Sequence, residues 1–132
     1  NLIEASWYNK DGKLENTNKY ESNKDGNLIE QNQYNNEGEL TYKSKYEYDE
    51  DRNLKERNWY DNEGELALKL KYEYDEDGNE IEQRQYNNDG ELDFMFKYKY
   101  DEYDKENNWI VKIKFKDSDT PEHIVERKIE YY

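Results

Sequence analysis

The chain has 132 residues, of which 34 are acidic and 20 basic, and its formal net charge is −14. Such a chain has no basic surface to neutralise phosphates, so neither nucleic-acid binding nor attraction to anionic membranes is expected. No apolar run approaches the roughly 18 residues of a membrane helix, so membrane insertion is not expected either. Cysteine is absent, which excludes disulfides and thiolate chemistry, and His123 is the single histidine, with no catalytic motif around it.

The apolar composition is unusual. Leu, Ile, Val and Phe together number only 21 residues, which with this net charge is typical of disordered chains. The chain also contains 15 Tyr, 3 Trp and 3 Phe, however, and disordered segments are poor in aromatic residues. We therefore expect a folded protein in which aromatic burial replaces aliphatic burial.

An internal repeat organises the chain. Four gapless 26-residue units cover residues 1–26, 27–52, 53–78 and 79–104, and a degenerate fifth unit covers 105–132. Because a repeat unit buries its apolar surface against its neighbours, the sequence predicts a single repeat domain over 1–132 whose last segment is a cap.

Each unit contains two turn signals, in which Asn or Asp comes first and Gly usually comes fourth. One set ends at Gly12, Gly38, Gly64 and Gly90, and the other ends at Gly26, Arg52, Gly78 and Asp104. This pattern is typical of hairpins in which the fourth residue has a left-handed conformation. A non-glycine residue there carries roughly 1 kcal/mol of strain, so the Arg52 hairpin should be the loosest.

Segments of alternating polarity lie between the turns and predict β-strands. In chain order the predicted strands are 1–8, 13–22, 27–34, 39–48, 53–60, 65–74, 79–86, 91–100, about 108–116 and about 122–132, with a last turn from Asp117 to Pro121. The predicted fold is all-β, an antiparallel up-and-down meander of about ten strands in a curled single sheet or a barrel-like shell.

The turn geometry also predicts which residues pair. The residue before each turn should face the second residue after its glycine, which gives Tyr8/Leu14, Tyr34/Leu40, Tyr60/Leu66 and Tyr86/Leu92. Strict alternation puts these pairs on one apolar face. Its predicted buried residues are Leu40, Leu54, Leu66, Leu68, Leu70, Leu92, Phe94, Phe96 and Trp109. The opposite face should carry Lys43, Lys45, Lys69, Lys71, Lys97 and Lys99 together with Glu39, Glu65 and Glu91.

The same count produces a candidate binding constellation on the apolar face. It predicts Glu30 beside Tyr20, Glu56 beside Tyr46, and Glu82 beside Tyr72. These pairs form either a polar ladder that stabilises the sheet or a row of hydrogen-bonding and stacking groups for a repetitive ligand.

Two tryptophans are further candidate binding residues. Trp7 and Trp59 are predicted on the charged face, with Trp59 between Lys43 and Ala67. Each indole is either covered by a lysine stem or exposed as a platform for a glycan or a protein partner.

The string from Tyr60 to Asn79, YDNEGELALKLKYEYDEDGN, resembles the tyrosine-aspartate (YD) repeat of Rhs-type bacterial proteins. The resemblance covers essentially residues 1–116 and implies antiparallel strands in a sheet or shell, usually of a secreted or surface-associated protein. The segments at Trp7-Tyr8 and Trp59-Tyr60 also resemble choline-binding or glucan-binding cell-wall repeats, which have a shorter period and a further Gly and Trp.

The turn segments Asp75-x-Asp77-Gly78-Asn79 and Asn87-x-Asp89-Gly90-Glu91 resemble fragments of calcium loops. Turn chemistry already explains their Asp and Gly residues, and the closing bidentate glutamate is absent, so no metal site and no cofactor are predicted.

The predicted function is a noncatalytic binding or structural repeat module, extracellular or at the cell surface, that presents a sheet surface to a glycan or protein partner. The alternative is a glycosidase-like enzyme that uses two carboxylates on a concave face. Unpaired edge strands further predict weak self-association.

Overall fold

The computed structural model describes residues 1–131, which form ten β-strands and no helix. The strands are β1 (Leu2–Tyr8), β2 (Leu14–Ser22), β3 (Leu28–Asn35), β4 (Leu40–Tyr48), β5 (Leu54–Tyr60), β6 (Leu66–Tyr74), β7 (Glu80–Tyr86), β8 (Leu92–Tyr103), β9 (Trp109–Lys116) and β10 (Pro121–Glu126). No helix suited to crossing a membrane occurs in this part of the chain.

The ten strands form one antiparallel sheet in chain order, from β1 at one edge to β10 at the other. The predicted meander is confirmed, and the bounds of β1 to β7 agree with the prediction to within one residue. The barrel-like alternative is wrong, since within residues 1–131 β1 pairs only with β2 and β10 only with β9. The last strand also differs, because it includes Pro121 and ends at Glu126.

The tight turns show why Asn or Asp comes first. In the turn after β5, the Asp61 carboxylate accepts hydrogen bonds from the backbone N–H groups of Glu63 and Glu65, both at 2.9 Å. The backbone of Asp61 also donates to the carbonyl of Glu65 at 3.0 Å. Gly64 has a φ of 84°, and Arg52 occupies the same left-handed conformation with a φ of 71°, as predicted.

The turn after β8 differs from the prediction. Asp104 begins this turn rather than ending it, and Asn107 takes the left-handed position with a φ of 61°. Three additional residues lengthen β8 to 12 residues, and its pairing with β9 shifts register twice, between Tyr100 and Glu102 and between Glu102 and Tyr103. The sequence period breaks at this point.

A β-bulge next to each turn determines which face a side chain occupies. The predicted pair Tyr60/Leu66 is confirmed, but the next pair is Trp59/Leu68, so Ala67 has no partner on β5. An additional residue on one strand reverses the face of every residue beyond it. Leu66 and Leu68 therefore lie on opposite faces of the sheet.

The two faces follow from the cross-strand pairs. The lysine face contains Lys43, Lys45, Lys69, Lys71, Glu30, Glu56, Asn58, Tyr34, Tyr60 and Tyr86. The aromatic face contains Tyr42, Ser44, Tyr46, Arg57, Trp59, Leu68, Leu70, Tyr72, Phe94, Phe96 and the glutamines 31, 33, 83 and 85.

The single-layer sheet buries little. Leu70, with 6% of its surface exposed, is the one buried hydrophobic residue among the described residues. The predicted set of nine buried residues is otherwise wrong: Leu92 is 51% exposed, and the other seven are half-buried. In a sheet without a second layer, a side chain is covered only by its neighbours on the same face, so most apolar side chains stay partly exposed.

Candidate functional site

The charges of the lysine face are largely paired with one another. The Glu56 carboxylate accepts a hydrogen bond from Asn58 at 2.7 Å and forms ion pairs with Lys69 at 3.5 Å and Lys71 at 3.8 Å. Partial burial opposes ionisation of Glu56, but the Asn58 hydrogen bond and the two ammonium groups outweigh it and lower the pKa of this carboxyl group.

The same arrangement recurs one repeat earlier and, in a modified form, one repeat later. Glu30 accepts a hydrogen bond from Asn32 at 2.7 Å and pairs with Lys43 at 3.3 Å. Glu82 instead pairs with Arg84, which takes the position of Asn58 and also reaches Glu73 at 2.9 Å. These contacts connect neighbouring strands of the sheet, so the lysine face has a structural role.

Lysine ammonium groups also cover the tyrosines of this face. Their distances to the ring centroids are 5.4 Å for Lys19 over Tyr34, 5.9 Å for Lys45 over Tyr60, and 5.9 Å for Lys71 over Tyr86. The regular spacing of these cation–π contacts follows the sequence repeat.

The predicted constellation of glutamates beside tyrosines is wrong. Tyr20, Tyr46 and Tyr72 pair across the strands with Gln31, Arg57 and Gln83 respectively, whereas Glu30, Glu56 and Glu82 lie opposite other glutamates. The prediction omitted the bulge that follows each turn, and this one-residue shift puts the glutamates and the tyrosines on different faces.

The positions of the two candidate tryptophans also correct the prediction. Trp59 lies between Ser44 and Leu68 on the aromatic face, not between Lys43 and Ala67. Its ring is covered by the guanidinium of Arg57, whose central carbon is 3.8 Å from the ring centroid, rather than by a lysine stem. Trp7 lies on edge strand β1, opposite Asn16. It is exposed on the aromatic face and not, as predicted, on the charged face.

Amides and phenols alternate on the aromatic face. The Gln31 side chain donates to the Tyr42 hydroxyl at 2.8 Å and accepts from the Tyr46 hydroxyl at 3.4 Å. Gln83 accepts from the Tyr98 hydroxyl at 3.5 Å. The tyrosines thus join adjacent strands through glutamines, which their sequence spacing alone did not indicate.

Three further tyrosines form hydrogen bonds to the backbone at the start of the neighbouring strand. Tyr48, Tyr74 and Tyr100 donate to the backbone carbonyls of Leu28, Leu54 and Glu80 at 2.8, 2.9 and 2.7 Å. Burial is the largest cause that raises the pKa of Tyr74 and of Tyr100 to about 12. These hydroxyls therefore have a structural role.

Arg57 is a candidate binding residue that the sequence analysis missed. It occupies the repeat position of Gln31 and Gln83, and its guanidinium carbon is 5.1 Å from the Tyr46 ring centroid. Its Nε is buried and has no hydrogen-bond partner among the described residues. The exchange of Gln for Arg at one repeat could have drawn attention to this position, but its face was not evident without the bulges.

Glu80 is a second residue that departs from the repeat, because Leu28 and Leu54 occupy its position in the earlier units. It is opposite Tyr74 on β6. Burial raises the pKa of the Glu80 carboxyl group, and the charge of Lys112 partly offsets this effect. One half-buried carboxyl group does not form the pair that a glycosidase requires.

Within residues 1–131, no cluster of three or more His, Cys, Asp or Glu side chains is arranged to hold a metal ion. The two segments that resemble calcium loops use their first side chains in the turns: Asp75 accepts from the backbone of Asp77 and Asn79, and Asn87 from that of Asp89 and Glu91. His123 lies on edge strand β10 and contacts Glu122 at 3.5 Å.

Comparison with known proteins gives no family model and no curated protein that matches the chain. Among solved structures, a crystal structure of a TcdB2–TccC3–Cdc42 complex aligns with 93% of this chain and 10% of that chain, at 13% identity and a TM-score of 0.34. A structure of the Photorhabdus luminescens Tc holotoxin pore with mutant TccC3 aligns with 93% of this chain and 9% of that chain, at 13% identity and a TM-score of 0.33. The chain thus spans about a tenth of the length of each.

Proposed function

We propose that this chain is a noncatalytic repeat module of a secreted or surface-associated protein, and that its aromatic face binds a glycan. One observation carries this proposal: the charged groups of the lysine face are largely paired with one another, whereas the aromatic face combines half-exposed rings and side-chain amides with a guanidinium that has no ion-pair partner and whose Nε has no hydrogen-bond partner among the described residues. Flat aromatic surfaces with adjacent hydrogen-bonding groups suit sugar rings, which present C–H faces and hydroxyl edges.

The sheet geometry supports a repetitive ligand. Equivalent positions of the repeat, such as Gln31 on β3, Arg57 on β5 and Gln83 on β7, recur every two strands. With about 4.8 Å between strands, the intervals are about 10 Å, close to the length of two sugar residues. The resemblance to YD repeats supports the extracellular part of the proposal.

A glycan array tests the binding, and chromogenic glycosides assayed on the same preparation test the absence of catalysis. We expect retention of a defined set of glycans, reduced for Trp59→Ala, and no turnover. The matched control is Tyr60→Ala, which removes a neighbouring ring from the lysine face. Release of chromophore would contradict the noncatalytic proposal and favour the glycosidase alternative, whereas retention of no glycan would contradict the binding proposal.

A further inference from the structure

We propose that Arg57 and Tyr72 form a carboxylate-binding site on the aromatic face, and that the ligand is a glycan with one uronic acid between neutral sugars. This inference rests on the proposed glycan binding and specifies its substrate class. Two groups at this point of the repeat have hydrogen-bond donors without acceptors.

In the neighbouring units, a glutamine provides the acceptor for a tyrosine 15 residues further along the chain. The Tyr46 hydroxyl donates to Gln31 at 3.4 Å, and the Tyr98 hydroxyl donates to Gln83 at 3.5 Å. Arg57 replaces this glutamine in the middle unit, where the corresponding tyrosine is Tyr72. Since a guanidinium has only donors, it offers the Tyr72 hydroxyl no acceptor.

Neither group has a hydrogen-bond or ion-pair partner among the described residues. No ion pair within 4.0 Å involves Arg57 among the described residues, although the chain has 34 acidic residues. The other three arginines have partners: Arg52 pairs with Asp25, Arg84 with Glu82, and Arg127 donates to the Trp109 carbonyl. Within residues 1–131, the Tyr72 side chain forms no hydrogen bond either. Arg57 is opposite Leu70, and Tyr72 follows two residues later on the same face of β6, so the two unused donors are diagonal neighbours on adjacent strands.

The surroundings orient the guanidinium. It stacks on the Trp59 ring at 3.8 Å and lies 5.1 Å from the Tyr46 ring centroid. Stacking fixes the plane of the guanidinium, and its in-plane N–H groups have the fork geometry that matches the two oxygens of a carboxylate. The adjacent aromatic side chains provide an apolar wall against which the ring of a sugar carboxylate packs.

The charge pattern along the sheet restricts the ligand. The equivalent positions two strands to either side hold Gln31 and Gln83, which are neutral, so one carboxylate is bound where its neighbours are uncharged sugars. A densely charged polyanion is disfavoured, because the chain itself carries a net charge of −14.

Calorimetric titration of the full chain tests the site with two trisaccharides, one of three glucose residues and one whose central glucose is replaced by glucuronate. We expect the wild type to bind the glucuronate trisaccharide at least about tenfold more tightly than the neutral one. Arg57→Gln introduces the residue of the neighbouring units, which should fold normally, and should reduce this ratio to about one. Arg57→Lys should retain only part of the preference, because a lysine lacks the planar fork.

The matched control is Arg52→Gln, which removes the same charge at an exposed turn and should leave the preference unchanged. Equal affinity of the wild type for both trisaccharides would overturn the Arg57 inference and leave the proposed glycan binding intact. Failure to bind either trisaccharide would also overturn the Arg57 inference, whereas retention of no glycan on the array would overturn the proposed glycan binding. A short glutamate-containing peptide forms a third arm, and tighter binding of this peptide would assign the site to a protein carboxylate and overturn the glycan inference.

Discussion

Replacement of Leu70 by alanine tests where this thin sheet keeps its apolar stability. Leu70 lies between Arg57 and Gln85 on the aromatic face and is 6% exposed. Alanine removes three carbon atoms, each worth about 0.8 kcal/mol when buried, so the free energy of unfolding should fall by about 2 to 3 kcal/mol. This estimate is at the lower end of the range for leucine in two-layer cores, because a single layer surrounds the side chain from fewer directions.

Leu92→Ala provides the matched control, since Leu92 is 51% exposed on β8. Its substitution should cost only about 0.5 to 1 kcal/mol. Urea unfolding followed by circular dichroism measures both values, and the slopes of the two transitions should agree if both variants unfold from the same sheet. A loss for Leu70→Ala no greater than that for Leu92→Ala would show that burial on one face does not determine stability.

Four further predictions concern strain, burial and association. Arg52→Gly should raise the free energy of unfolding by about 1 kcal/mol, because it relieves a left-handed residue with a φ of 71°; an unchanged urea midpoint would contradict this. Glu80→Leu should also stabilise the chain by about 1 kcal/mol, since it removes a half-buried carboxyl group whose pKa is raised; destabilisation would assign this carboxyl group a structural contact. Burial raises the pKa of Tyr74, Tyr98 and Tyr100 to about 12, so their contribution to stability should be complete below pH 10 and decline as the pH rises towards 12, which tyrosinate absorbance and unfolding measured together would detect. Apolar side chains exposed on β1 and β10 should give weak dimers that light scattering detects as salt increases, whereas dimers that weaken with salt would contradict the edge-pairing argument.

The fold was predictable because local signals repeat. Each turn carries its own Asn or Asp acceptor and a residue suited to positive φ, so strand positions follow from turn chemistry without any tertiary information. The turn after β8 shows the limit of this reasoning. Three inserted residues moved the turn from the position that the period predicts, so that Asp104 begins it.

The faces could not be predicted by alternation alone. The register at the turn was correct at Tyr60/Leu66, but the bulge at Ala67 reversed every later assignment on that strand. The residue type does not reveal where a bulge lies, since a lysine (Lys55) and an alanine (Ala67) occupy similar bulges. Because of this one-residue shift in register, groups that were predicted side by side, such as Glu56 and Tyr46, lie on opposite faces of the sheet.

Departures from the repeat are more informative than the repeat itself, once the faces are known. Two units replace a neutral polar side chain by arginine, one on each face. On the lysine face, Arg84 takes the position of Asn58, and its charge is balanced by Glu82 and Glu73. On the aromatic face, Arg57 takes the position of Gln31 and receives no carboxylate from the described part of the chain. Pairing offsets the cost of a half-buried cation at Arg84, whereas Arg57 has only the Trp59 and Tyr46 rings, and this difference is why we place the proposed carboxylate ligand at Arg57.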